Sequence, residues 1–229
     1  GLGTASGDRD VSVLHDAVAA HIGQEAGRFL EQFRIGIAGC GGLGSNCAVH
    51  LARSGFRRFV LVDHDCVEIS NLNRQFFFPE HIGRPKVEAV AHTLLRLDPE
   101  LEIRTVAEPL VPDTAREVFQ GCHCVVECLD DPAAKAWLLT TCATTQRLYV
   151  GASGIAGYGR AQAQTVRWLG RQCCLAGDQL SGVGERTPPL APGVGAAAAL
   201  QADVVLSHFL GGFQPGGPSI EQGSAERAV

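Results

Sequence analysis

The segment Gly39-Cys40-Gly41-Gly42-Leu43-Gly44 constrains the fold of this chain more than any other. It lies between an apolar run, Ile35 to Ala38, and a stretch of helical spacing that continues to Ser54 and stops at Gly55. Glycines in that pattern let a chain leave a strand, turn tightly and enter a helix, with bare backbone N–H groups facing an anion at the helix start. A second apolar run, Arg58 to Val62, ends at Asp63, 19 residues beyond Gly44. An acid at that place accepts hydrogen bonds from ribose hydroxyls. The pattern predicts strand, glycine loop, helix and strand, with a nucleotide at the junction. Taken alone, it suits the pyrophosphate of NAD as well as the triphosphate of ATP.

The rest of the chain repeats the alternation. Val11 to Gln32 has the spacing of an N-terminal helix that Gly23 would interrupt. Helices are predicted over 84–97, 113–119 and 132–144, the last with Pro132 in its first turn. Strands are predicted over 101–107, 123–128 and 148–152. Strands alternating with helices argue for an α/β fold: a Rossmann-like, doubly wound, mostly parallel sheet. Right-handed crossovers would gather the carboxyl ends of the strands, so that Gly39–Gly44, Asp63–Asp65, Asp130–Asp131 and Ala152–Gly154 converge on one groove. Beyond residue 154 the pattern changes. Tyr158 to Trp168 and Cys173 to Ala176 read as an antiparallel extension of the sheet, and Val194 to Leu210 as a closing helix. Residues 211–229 are Gly, Pro, Ser and charge, and read as a flexible tail.

The residues downstream of Asp63 separate ATP from NAD. The string DHDCVEISNLNRQFFF places Asp65 beside the same strand end and then brings Asn71, Asn73, Arg74 and Gln75. Arg74 offers a guanidinium fork to phosphate oxygens, while Asn71 and Gln75 offer neutral donors. HIGRPK then sets Lys86 at a helix start, a point charge suited to phosphate. A dehydrogenase has no use for this set, whereas a triphosphate needs cations and amides. Asp130 and Asp131 come after the strand over 123–128. One of them can hold Mg²⁺ through its carboxylate, and one can cap the next helix. Asp130, first after the strand, is read as the chemical one.

These motifs, in this order, resemble the adenylation domain of ubiquitin-activating-type (E1-like) enzymes. That family includes the bacterial activators of sulfur-carrier proteins for thiamine and molybdopterin synthesis. The resemblance spans roughly residues 28–210, and NLNRQ behind the glycine loop is its most specific element. The stretches ASGIAGYG, PPLAPGVG and LQADVV look most like the short thiamine-type activator, which adenylates the sulfur carrier ThiS. The helical spacing gives an N-terminal helical segment over 1–32, and the resemblance implies an ATP-binding adenylation domain over 33–210. It implies ATP- and Mg²⁺-dependent adenylation of the C-terminal glycine of a small ubiquitin-like carrier ending in Gly-Gly, with release of pyrophosphate. It also implies a homodimer. Carried over by position, Gly39, Gly41, Gly42 and Gly44 line the nucleotide and Asp63 holds the ribose, with Asp65 beside it. Asn71, Arg74 and Lys86 bind the phosphates, Gln75 sits beside them, and Asp130 lies by the metal and the α-phosphate. Arg74, Lys86 and Asp130 are the catalytic set.

Departures and composition bound this reading. Many relatives bind a structural zinc through paired C-x-x-C motifs; this chain has none, so zinc is not expected. The family's basic residue on the helix after Asp130 is Lys135 here. A reach-across arginine segment near the N-terminus is not recognisable, Arg28 being the nearest candidate. Cys173 and Cys174 lie where some relatives carry a catalytic cysteine, without the motif. The nine cysteines fit no disulfide framework and read as mostly buried free thiols of a reducing cytoplasm. A net charge of −5 gives no basic field for nucleic acid or membrane, and no run of about 18 apolar residues offers a membrane span. The competing readings are an NAD-dependent oxidoreductase and an E1-like enzyme acting on another carboxylate, such as a molybdopterin carrier or a modified tRNA base. A non-catalytic binding partner that has kept the fold is a third.

Overall fold

The computed structural model describes residues 12–182, 184 and 187–212. Of the expected tail, 213–229 lie outside the described residues, as does the expected helix start at Val11. Strands β1 (Arg34–Ala38), β2 (Arg58–Val62), β3 (Glu102–Val106), β4 (Cys124–Glu127), β5 (Leu148–Ala152), β6 (Thr165–Gly170) and β7 (Cys173–Gly177) form one sheet. Their order across it is β3-β2-β1-β4-β5-β7-β6. Neighbours are parallel throughout, except for the antiparallel β6–β7 pair. The α/β, doubly wound expectation is met.

The helices are α1 (Val13–Ile22), α2 (Gln24–Glu31), α3 (Gly42–Arg53), α4 (Lys86–Leu97), α5 (Pro112–Val118), α6 (Pro132–Thr144) and α7 (Ala191–Leu210). Alternate residues of each central strand supply two cores. Ile35, Ile37, Phe59, Leu61, Val126 and Val150 face α3, α4 and α7, while Val60, Val62, Val125 and Tyr149 face α5 and α6. Both faces are covered, which is why these strands read as continuous apolar runs rather than alternating ones. The N-terminal helix breaks at Gly23, as its sequence suggests, and α1 is tied down where Ser12 Oγ donates to the buried Asp98 Oδ2 at 2.6 Å.

Three expectations need correction. The strand expected over Tyr158 to Trp168 is confined to Thr165–Gly170, because the chain turns at Gly157 and Gly159 and makes a short 3-10 turn over Ala161–Ala163. The extension is antiparallel only in its outer pair: β7 returns beside β5 in parallel register, Tyr149 opposite Cys173 and Ala152 opposite Ala176. This leaves β6 as the outermost strand, with a register shift between Trp168 and Gly170. Finally, α7 is 20 residues long with a mean hydropathy of 1.3, long and apolar enough to cross a membrane. It lies against α3, β5 and β7 with Val194, Ala198, Gln201 and Val205 buried, which is the packing of a core helix.

Candidate functional site

The order of the sheet sets β2, β1, β4 and β5 side by side, so the four strand ends named from the sequence are neighbours. At the end of β1 the loop leaves through Gly39, whose φ is +92°, and a Cβ there would stand 2.6 Å from the carbonyl oxygen of Cys128. A Cβ on Gly44 would fall onto the carbonyl oxygen of Gly39. Only glycine lets the loop fold back this tightly against its own helix. Gly41 is the N-cap of α3 and offers no side-chain cap, so the first-turn N–H groups remain available to an anion.

Asp63 is built into that loop. Its Oδ2 accepts the Cys40 N–H at 2.7 Å and its Oδ1 accepts the Asp65 N–H at 2.9 Å. Each carboxylate oxygen can accept a second hydrogen bond, which leaves capacity for ribose hydroxyls. Lys86, its side chain 10% exposed, donates from Nζ to Asp65 Oδ2 at 2.7 Å. That hydrogen bond holds the Asp65 carboxyl below its usual range. The loop after β2 then folds over the start of α3. Asn46 Nδ2 donates to the carbonyl oxygens of Gly42 and Arg74, at 2.7 and 3.0 Å, and Ser45 Oγ accepts the Phe76 N–H at 2.9 Å. Gln75 is thereby brought to Gly41 and Arg74 to Gly42. Gln75 Oε1 is buried without a hydrogen-bond partner. Among the described residues, the Arg74 guanidinium bonds only to its own turn, at Ser70 O and Asn73 Oδ1. Asn71 is buried, and its Oδ1 accepts the Glu68 N–H at 3.0 Å, so it shapes the NLNRQ turn.

The β4–α6 junction resolves the two aspartates. Asp131 is the N-cap of α6, accepting from Ala133 N and Ala134 N. Asp130 is exposed and has no hydrogen-bond partner among the described residues. It comes two residues after Cys128, whose N–H bonds to Ala38 O at 2.8 Å, so it leaves the sheet beside the glycine loop. Beneath it lies a network that sequence reasoning missed. Glu127, fully buried, accepts from Lys135 Nζ at 2.8 and 3.0 Å, from Leu129 N at 2.6 Å and from Tyr149 Oη at 3.1 Å. Burial pushes the Glu127 carboxyl up, against the pull of Lys135 and these donors. Gln201, buried on α7, donates to Glu127 O and Val150 O at 2.9 and 3.1 Å. The sequence signals were Lys135, singled out on the helix after Asp130, and the polar Gln201 beside the alanine run of α7; that the two join one network was not legible.

Other candidates lie apart. Cys173 and Cys174 sit at the amino end of β7, opposite the loop, and point to different faces: Cys174 joins the α7 side, Cys173 the α6 side. Burial pushes both thiols up, Cys174 to about 12, so neither is held as a thiolate. Arg28 stands exposed on α2. Cavities of about 400 and 450 Å³ open at the amino ends of β5 and β7 and of β4 and β5, and neither is lined by a residue of the loop or by Asp63, Arg74, Lys86 or Asp130. Asp63, His64 and Asp65 bring ligand atoms within 4.8 Å of one another, but Lys86 already takes Asp65.

Comparisons with known proteins show the family and the fold. The ThiF family profile matches residues 15–218. The chain is 29% identical over 195 residues to the molybdopterin-synthase adenylyltransferase of Salmonella typhimurium, covering 82% of this chain and 77% of that one. It is 30% identical over 133 residues to the sulfur carrier protein ThiS adenylyltransferase of Escherichia coli, covering 58% of this chain and 53% of that one, so it spans about half the length of that relative. The E. coli tRNA N6-threonylcarbamoyladenosine dehydratase TcdA, solved in complex with AMP, superposes with a TM-score of 0.78 at 20% identity, over 86% of this chain and 93% of that one. With a family match over most of its length, the chain belongs to the ThiF family of E1-like adenylyltransferases.

Proposed function

We propose that this chain uses ATP to adenylate the C-terminal glycine of a small, ThiS-like sulfur-carrier protein in thiamine thiazole synthesis, releasing pyrophosphate. The observation that carries the reading is the donor set around the uncapped start of α3. Arg74 and Gln75 are folded onto Gly42 and Gly41, and Lys86 is held 2.7 Å from Asp65 at the next strand end. Gln75, buried beside Gly41, brings its side-chain amide to the loop, and its Oε1 has no hydrogen-bond partner among the described residues. The carrier carboxylate attacks the α-phosphorus, the bond from it to the α–β bridging oxygen breaks, and that electron pair leaves on the highly charged pyrophosphate. Such a transfer is accelerated by positioning and by cations that neutralise the departing charge. Arg74 and Lys86 supply those cations, Lys86 exchanging Asp65 for phosphate oxygens, and Asp63 orients the ribose. Asp130, exposed and not used in capping, would hold Mg²⁺, which would supply positive charge against the departing phosphates. We expect the working form to be a homodimer in the cytoplasm.

The test is exchange of labelled pyrophosphate into ATP with purified ThiS-type and molybdopterin-type carriers, each with and without its terminal glycine. Exchange dependent on the intact ThiS-type carrier supports the proposal. Exchange with the molybdopterin-type carrier alone would keep adenylation and move the substrate. No exchange with either, together with saturable NAD binding, would overturn it.

A further inference from the structure

We infer that Glu127, Lys135, Tyr149 and Gln201 form a positioning strut that sets the Asp130-bearing turn against the glycine loop. The inference rests on the reading that Asp130 meets the nucleotide–metal end of the substrate. The turn between β4 and α6 is short, and Asp130 makes no hydrogen bond of its own among the described residues. Its placement must come from its neighbours. The peptide N–H just before it, that of Leu129, is held by Glu127 Oε1 at 2.6 Å. Lys135, in the first turn of α6, grips both oxygens of the same carboxylate and also the carbonyl oxygen of Ala152 at 3.1 Å. Tyr149 from β5 closes Oε2 from the side. From the opposite face of the sheet, Gln201 of α7 joins the carbonyls of Glu127 and Val150. Two strands and two helices are thus tied together at the point where Asp130 leaves the sheet.

The network is saturated, which decides its role. The Glu127 carboxylate accepts four hydrogen bonds, from Lys135 twice, Leu129 and Tyr149, and is fully buried. It has neither exposure nor spare lone pairs with which to meet a substrate. Lys135 has spent its three donors on Glu127 and Ala152. These residues therefore act through Asp130 and do not touch the reacting atoms. A misplacement of about 1 Å at a reacting centre can cost on the order of 100-fold in rate, and a charged, multiply bonded strut restricts such movement.

The experiment compares the wild type with Lys135→Met, Lys135→Arg and the milder Tyr149→Phe. Amide hydrogen exchange on the unliganded protein is the first readout. Lys135→Met should expose the Leu129 amide to exchange at least tenfold faster, while amides of β1 keep their protection. Pyrophosphate exchange is the second. Lys135→Met should lower kcat on the order of 100-fold, with KM for ATP within about threefold; Lys135→Arg should recover most of the loss, and Tyr149→Phe should fall between. If Leu129 protection is unchanged in both Lys135→Met and Tyr149→Phe, or if kcat and KM change together as expected for a general loss of fold, the strut is refuted. Should Lys135→Met prove too unstable to measure, Tyr149→Phe carries the same two readouts. Hydrogen exchange does not depend on the reaction, so a wild type that lacks pyrophosphate exchange would sink the proposed function while leaving the mechanical part of the strut to be judged on its own.

Discussion

Replacing Lys135 by methionine removes the sole cation paired with Glu127 in the described structure while keeping the aliphatic stem. The lost contacts are two charge-assisted bonds to the carboxylate, at 2.8 and 3.0 Å, and one to the Ala152 carbonyl at 3.1 Å. Bonds to charged groups contribute about 1.5–3 kcal/mol each, but the Lys135 side chain is 29% exposed, so solvent screens part of its charge. Leu129 and Tyr149 still offer donors to Glu127, though the carboxylate is held less firmly without Lys135. The expected loss at pH 8 is therefore about 3 kcal/mol, at the lower end of the range of roughly 3–5 kcal/mol for stranding one partner of a buried pair. In a chain of 229 residues that corresponds to a fall in Tm of roughly 6–12 °C. The pH dependence fixes the cause. Burial already raises the Glu127 carboxyl above its ordinary value of 4.5, and loss of Lys135 raises it further. A carboxyl raised on folding gives stability that is fully present below its unfolded pKa and is lost as pH rises through the folded value. The deficit of the variant should therefore be small near pH 4.5 and grow with rising pH, by about 1.4 kcal/mol for each unit of additional shift. Urea unfolding of both proteins at pH 5 and pH 8, with Glu127→Gln/Lys135→Met as the neutral pair, measures this. A deficit under about 1 kcal/mol at pH 8, or one that is the same at both pH values, would refute the reasoning.

The site carries further expectations. Asp130→Ala should abolish carrier-dependent pyrophosphate exchange with unfolding free energy within about 0.5 kcal/mol of wild type, whereas Asp131→Ala should cost about 1 kcal/mol by loss of the α6 cap and leave most of the activity. Urea unfolding and exchange assays on the two variants separate the roles, and an active Asp130→Ala would remove the metal assignment. Gly44→Ala has no room for its methyl against the Gly39 carbonyl, so nucleotide binding by titration calorimetry should be lost even if the protein is recovered folded. Cys173→Ser combined with Cys174→Ala should leave adenylation within about twofold, since both thiols lie at the far end of the sheet and are pushed up by burial. In the wild type a thiol-specific reagent should modify Cys66 first, because it is the exposed one of the nine.

Much of the fold was legible because each signal was local. The apolar runs of β1, β2, β4 and β5, the glycine loop and the break at Gly23 are written in consecutive residues, and each folds as its own spacing dictates. Asp63, Arg74, Gln75 and Lys86 could be named for the same reason: they come after the loop in an order that suits a triphosphate. The hidden part was long-range. Nothing in the spacing says that Glu127, Lys135, Tyr149 and Gln201 meet, because their meeting depends on how β4, β5, α6 and α7 pack. Nor does a local pattern reveal that β7 slots beside β5 while β6 takes the rim, since both strands have similar short apolar composition. Order after the strand favoured Asp130 over Asp131 for the chemistry, and it is the start of α6 that shows Asp131 as the cap.

The placement of β6 at the rim has a consequence for self-association. Among the described residues the sheet has two open sides, β3 and β6, each presenting unpaired peptide groups that an incoming strand from another molecule can join. Both sides carry a guanidinium in mid-strand, Arg104 on β3 and Arg167 on β6. The shift between Trp168 and Gly170 also interrupts the ladder next to the exposed Trp168 and Leu169. An arriving strand would have to desolvate a cation on either side, and on the β6 side would find no continuous register to copy. The irregularity at the end of β6 thus guards against fibrous aggregation at the rim where apolar side chains are most exposed.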